Sequence, residues 1–279
     1  MEMTITKKKE EAFRRYLYDN EKSLATVEKY MRDIRVFMNF LKGREPDRTA
    51  VLSYKERLGR DYAVASANSM LAALNAFFKF VGRLDLCVRQ FKVQRKTFSP
   101  AERELSREEY LKLIRTAEKK KNERLSLVLQ TICGTGIRVS ELKYITVEAA
   151  RSGEVSVSCK GKVRTVFIVS RLQKKLLAYA RKYGISSGVL FRTRSGKPIN
   201  RTSVWREMKS LCIEAGVSPK KVFPHNLRHL FARTFYEIEK DIAKLADILG
   251  HSSINTTRIY IIETGVEHRR KMENMRLII

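Results

Sequence analysis

The sequence predicts a mainly α-helical protein of two domains with one small antiparallel β-sheet. Three observations lead there. The chain has 279 residues, enough for two cores by the usual size of a domain. Apolar residues recur at helical spacing on both sides of one aperiodic stretch. Strand-like alternation occurs in a single place, between 154 and 169.

Taken in order, Val27, Tyr30, Ile34, Phe37 and Leu41 step by three and four between Ser23 and Lys42, which is one face of an amphipathic helix. After Pro46 a short second helical pattern runs through Val51 and Leu52. A third covers 65–81 around Met70, Leu71, Leu74, Phe77 and Phe78. Residues 1–97 therefore read as a helical bundle. Residues 92–106 lose the periodicity and carry Pro100, and the linker is placed at 98–106. Ser106 with Glu109 forms the pattern of a capping box, so a helix is predicted over 107–119 and another over 123–134. Val155 and Val157, then Val166 and Ile168, alternate on either side of Lys160-Gly161-Lys162, which reads as a β-hairpin. Helical spacing returns at 171–183, 201–215, 225–239, 241–249 and 254–262.

Charge narrows the function. Lys and Arg number 57 against 30 Asp and Glu, a net of +27, which points to a polyanionic partner and most simply to nucleic acid. Residues 151–200 hold one acid, Glu154, among many cations, whereas a merely solvated face mixes signs. In the first bundle the cations Lys29, Arg32, Arg35 and Lys79 fall between the core positions, as on helices with one face on phosphate. Arg164 belongs to the basic hairpin and is taken with them as DNA-binding. No apolar run approaches a membrane span, and the N-terminus lacks the apolar segment of a signal peptide. Cys87, Cys133, Cys159 and Cys212 form no CxxC pair, which fits a reducing cytoplasm.

The candidate chemistry is cationic. His225 and His229 stand at i and i+4, but Arg228 lies between them and no general-base Glu does, so zinc is a poor reading. GTGIRV at 134–139 is neither a P-loop nor a dinucleotide fingerprint. Arg138, Lys160, His225, Arg228, His251 and Tyr260 instead supply what cleavage of a phosphodiester without metal or nucleotide cofactor requires. Two guanidiniums can clamp the non-bridging oxygens, a tyrosine can attack, and a crowded lysine can protonate the leaving oxygen.

TGIRVSEL at 135–142, HNLRHLFA at 225–232 and LGHSSINTTRIY at 249–260 closely resemble the motif boxes of the tyrosine recombinases, the phage integrase and Xer family, in the family's order and spacing. The resemblance spans both halves. It implies a SAM-like core-binding bundle over 1–97 and a catalytic domain over 107–279. Residue by residue, it makes Arg138 and Arg228 the phosphate-holding arginines, Lys160 the mobile proton donor with Lys162 as the alternative, and Tyr260 the nucleophile. His225 and His251 become the catalytic histidines, with Glu141 and His229 in supporting positions.

The reaction implied is site-specific recombination through a 3′-phosphotyrosyl link and a Holliday junction, with no cofactor. The partner is a double-stranded DNA crossover site, bound by a dimer, with a homotetramer on two sites. A second recombinase or a directionality factor stays open as a further partner, and no membrane is implied. The expected location is the cytoplasm, at the nucleoid. Ile261, Ile262, Leu277, Ile278 and Ile279 would form a tail docking on a neighbouring protomer. Ala149 stands where relatives often carry Asp, and no arm-binding domain precedes the bundle, as in simple Xer-type enzymes. Competing readings are a type IB topoisomerase and a DNA-binding protein of recombinase ancestry that does not cut.

Overall fold

The computed structural model describes residues 7–93, 103–159, 162–193, 195–260, 269 and 272–275. The chain divides into two compact units, Met1–Arg95 and Lys96–Ile279. Among the described residues no helix is long and apolar enough to cross a membrane.

The first unit holds α1 (Lys7–Asp19), α2 (Leu24–Leu41), α3 (Arg48–Asp61) and α4 (Val64–Phe80), followed by a 3₁₀ turn at Leu84–Leu86. Ser23 accepts a hydrogen bond from the Thr26 amide to open α2, and Asp47 accepts from the Ala50 amide to open α3. The core is aromatic. Phe13 meets Phe77 edge-on at 5.2 Å, and Phe37 meets Phe78 at 5.9 Å. Phe13 and Leu17 are fully buried, so α1 belongs to the bundle although its charged first turn hid it from a periodicity search. The Asn75 and Asn68 amides each bond both the N–H and the carbonyl of one residue, Val88 and Phe91 respectively. They thereby pin the extended segment that leaves the bundle.

The second unit runs α5 (Arg107–Lys119), α6 (Glu123–Thr135), a 3₁₀ segment Val139–Tyr144, α7 (Val147–Ser152), β1 (Glu154–Cys159), β2 (Lys162–Phe167), α8 (Ser170–Lys182), α9 (Arg201–Ala215), α10 (Pro224–Glu239), α11 (Ile242–Leu249) and α12 (Ile254–Arg258). The capping box of α5 forms as expected, with Ser106 Oγ accepting from the Glu109 amide and Glu109 accepting from the Ser106 amide. Three expectations need correction. Lys162 is not in the hairpin turn but begins β2, opposite Cys159. Residues 103–106 are not free linker, because Leu105 is buried in the second core and Glu104 pairs with Arg233. The predicted helix over 254–262 is described only to Arg258, with Ile259 and Tyr260 in a turn. The 3₁₀ segment and α7 were not predicted. At six residues each, they are too short to show a period.

Candidate active site

Four pieces of the second unit converge on one place: the turn after α6, strand β2, the start of α10, and the run from the end of α11 to Tyr260. Each is aimed by local backbone chemistry. Gly136 ends α6 in the left-handed conformation at φ +65°. A Cβ there would stand 2.5 Å from the Phe231 ring. Pro224 occupies the first turn of α10, where its missing N–H costs nothing, and His225 follows. Gly250 ends α11, again left-handed, and hands the chain to His251.

We expect Gly136→Ala to destabilise the second unit. The left-handed backbone alone costs about 1–3 kcal/mol for a residue with a Cβ, and the clash with Phe231 adds to it. Thermal melting checks this, and an unchanged melt would mean that α6 does not end as described.

Three arginines share the C-terminal end of α11. Its last carbonyls have no partner within the helix and carry the negative pole of its dipole. Arg164 Nε donates to the Ile248 carbonyl at 3.1 Å, an Arg228 terminal nitrogen to Leu249 at 2.6 Å, and an Arg138 terminal nitrogen to Gly250 at 3.3 Å. One carboxylate serves the group. Glu141 is buried and accepts from the Arg138 amide (2.8 Å), the Arg138 guanidinium (2.9 Å) and both terminal nitrogens of Arg164 (3.0 and 2.8 Å). Burial works to raise its pKa, but the hydrogen bonds from Arg164 and Arg138 prevail and hold it at about 2. Three guanidiniums against one carboxylate leave two positive charges in excess.

Arg228 is the extreme case. It is 2% exposed, donates also to the Gly136 carbonyl, and its Nε has no partner. Among the described residues no carboxylate pairs with it. Burial, then Arg138, pull its pKa down to about 10, while the nearby Tyr260 hydroxyl pulls the other way.

Tyr260 is buried and ringed by imidazoles, with centroids 5.3 Å from His225, 5.0 Å from His229 and 5.3 Å from His251. Arg228 donates to Nε2 of His251 at 3.0 Å, so that nitrogen must accept. The proton therefore sits on Nδ1, which donates to the Thr257 hydroxyl at 2.9 Å. Burial and the surrounding arginines push His251 down to about 4. His225 is also lowered, first by crowding protein atoms and then by His229, Arg228 and Arg138, although part of its ring reaches solvent. Burial lowers His229 as well, partly offset by its contact with the Ile259 carbonyl. All three imidazoles are thus biased toward their neutral form.

Arg138, Glu141, His225, Arg228, His229, His251 and Tyr260 are thus brought together. Lys160 lies outside the described residues, as do Ile261, Ile262, Leu277, Ile278 and Ile279 of the tail, and only the backbone of Lys162 is described. Arg164 corrects the reading that placed it on DNA. It is held inside by Glu141 and Ile248, with 11% of its side chain exposed. In the first unit Lys29 is paired with Asp33 and Arg35 with Glu10, at 2.8 Å, so both charges are partly spoken for. Arg32 and Lys79 are exposed. Thr257 and the two glycines carry functions that sequence reasoning did not assign. Among the described residues no three His, Cys, Asp or Glu side chains are grouped to hold a metal ion.

Comparison with known proteins identifies the family. The Phage integrase family profile matches residues 103–264, and the phage integrase N-terminal SAM-like domain matches 11–83. Tyrosine recombinase XerA of Pyrococcus furiosus is 31% identical over 99% of this chain and 97% of its own. The crystal structure of XerA recombinase covers 99% of this chain and all of its own at 25% identity, with a TM-score of 0.55. That of XerH site-specific recombinase bound to its difH substrate in a pre-cleavage complex covers 99% of this chain and 85% of its own, at 19% identity and a TM-score of 0.70. With both profiles in chain order and a relative matched along nearly its whole length, the chain belongs to the phage integrase family, among the Xer-type tyrosine recombinases.

Proposed function

We propose that this chain cuts and rejoins DNA at a specific double-stranded site, with Tyr260 as the nucleophile. The observation that carries the reading is Tyr260 packed among three imidazoles beside a guanidinium cluster with two charges in excess. A phosphodiester entering there meets Arg138 and Arg228. The transition state gathers negative charge on its non-bridging oxygens, and preorganised cations at that point contribute most to the rate.

The Tyr260 oxygen bonds to phosphorus, the bond from phosphorus to the 5′ oxygen breaks, and that oxygen takes a proton. Lys160, which follows β1 in the sequence, is the donor that the family resemblance implies. The tyrosine's own proton passes to His225 or His251. Their low pKa values come partly from uncompensated arginines, so an arriving phosphate offsets that field and makes both better bases. The 5′ hydroxyl of a partner strand then reverses the step. Bond energy is kept in the phosphotyrosine, so no nucleotide is consumed. Exchange of two strand pairs passes through a Holliday junction and calls for a dimer on each site and a tetramer on two. DNA as substrate places the protein at the nucleoid.

Covalent trapping tests the proposal. The protein is offered nicked duplexes tiled across the DNA flanking its own gene, with EDTA present, and adducts resistant to SDS are sought. We expect one site to give an adduct. Tight binding without adduct on any duplex would favour a DNA-binding protein that does not cut. Relaxation of supercoiled plasmid without strand exchange would favour a topoisomerase.

A further inference from the structure

We infer that Arg164 is a positioning residue for the cleavage step: by occupying one side of Glu141 it lets the carboxylate orient Arg138 without neutralising it. The inference rests on the cleavage reading above. Arg164 is fastened through Nε to the Ile248 carbonyl and through both terminal nitrogens to Glu141, so any effect it has on chemistry passes through those partners.

The arrangement is saturated. A carboxylate has room for about four hydrogen bonds, and Glu141 accepts four. Arg164 takes one on each oxygen, the Arg138 amide a third, and a single terminal nitrogen of Arg138 the fourth. The Arg138 guanidinium is thereby limited to one bond with Glu141 and one with the Gly250 carbonyl, and 32% of the side chain stays open toward solvent. Without Arg164 the buried carboxylate would have free lone pairs and one guanidinium within reach. Arg138 would then turn onto it in the bidentate fork that arginine and carboxylate prefer. Its charge would be spent internally and its donors withdrawn from phosphate.

Position 164 needs arginine for a second reason. Its Nε reaches Ile248 while both terminal nitrogens reach Glu141, so one side chain fastens β2, the Arg138 turn and the end of α11 together. Lysine has one nitrogen for the same three acceptors. Gly250 supplies the space, because a Cβ there would stand 2.7 Å from Arg164 Cδ.

The test is the time course of covalent-adduct formation on the trapped duplex, with affinity and thermal melting measured alongside. Four proteins are compared: wild type, Arg164→Gln, Arg164→Lys and the double variant Arg164→Gln with Glu141→Gln. We expect Arg164→Gln to bind DNA within about threefold of wild type but to form adduct about 100-fold more slowly, the scale of losing one preorganised donor. Arg164→Lys should fall between the two. The double variant should recover at least about tenfold over Arg164→Gln, since the carboxylate that captured Arg138 is gone; a merely architectural role predicts no such recovery. Adduct at the wild-type rate in Arg164→Gln, or no gain in the double variant, overturns the inference. If Arg164→Gln does not fold, Arg164→Lys with and without Glu141→Gln makes the same comparison. Absence of adduct from wild type on every duplex it binds would instead overturn the cleavage reading.

Discussion

Tyr260→Phe is expected to abolish adduct formation, by at least about 10⁴-fold, while leaving duplex affinity within about threefold. The structure explains why the two readouts should separate. The Tyr260 ring is buried in a cluster with Ala232, Leu245 and Leu249 and packs against three imidazoles, and a phenyl ring fills the same volume. Only the hydroxyl is lost. The stability change should therefore stay near the roughly 0.5–1.5 kcal/mol of one hydrogen bond. Alanine at 260 would be a poorer probe, because an empty ring site lets His225, His229 and His251 collapse and confounds loss of nucleophile with loss of architecture. The adducted peptide from wild type should carry its phosphate on Tyr260. An adduct still formed by the Phe variant would mean that another residue attacks and that the three-histidine enclosure serves packing.

Much of this site was legible because its chemistry sits in contiguous boxes. His225 and Arg228 lie within one turn of α10, and Arg138 and Glu141 within one turn of the 3₁₀ segment. What escaped was the connection between boxes. Glu141 bonds Arg164 across 23 positions, and Arg228 bonds the Gly136 carbonyl across 92, separations that no local pattern reports. Yet a signal for Arg164 was present. The alternation that put Val166 on the core face of the hairpin puts residue 164 on that same face, two positions back, and Val163, at the other parity, is exposed. Counting Arg164 by its charge rather than its parity sent it to the surface. Thr257 gave no such cue, since its role exists only once α12 folds back under His251. In the first unit the aromatic spacing of α2 and α4 survived because both helices carry long apolar faces. In α1 the same spacing at Phe13, Tyr16 and Leu17 is overshadowed by eight charged neighbours.

The second large effect is expected at Arg228, and it should fall on activity rather than on stability. Arg228→Met keeps most of the volume and the buried stem, and removes a cation with which no carboxylate among the described residues pairs. Two opposing costs decide the stability. The carbonyls of Gly136 and Leu249 each lose a donor, at about 1–3 kcal/mol apiece when buried. Against that, the enclosed guanidinium no longer has to be held out of water, a penalty of several kcal/mol for a buried ion. Its pKa, drawn down to about 10, registers the same penalty. The melting temperature should consequently shift by only a few degrees in either direction.

Cleavage should drop by about 10³-fold or more, because Arg228 faces both the tyrosine hydroxyl and Nε2 of His251. Without that cation His251 also loses a neighbour that holds its pKa at about 4. Its pKa should rise, and with it the pH below which the imidazole is protonated and useless as a base. The residual activity of Arg228→Met should therefore fall off on the acid side at a higher pH than wild-type activity does. Arg228→Lys keeps the charge and should hold the acid limb near its wild-type position while still cleaving slowly, since a single ammonium cannot reach two carbonyls, an imidazole and a phosphate together. A collapse of the melting temperature in Arg228→Met, with DNA binding lost in step, would make Arg228 an architectural cation. A stable, binding-competent and inactive variant is what a charge held in reserve for the phosphate requires.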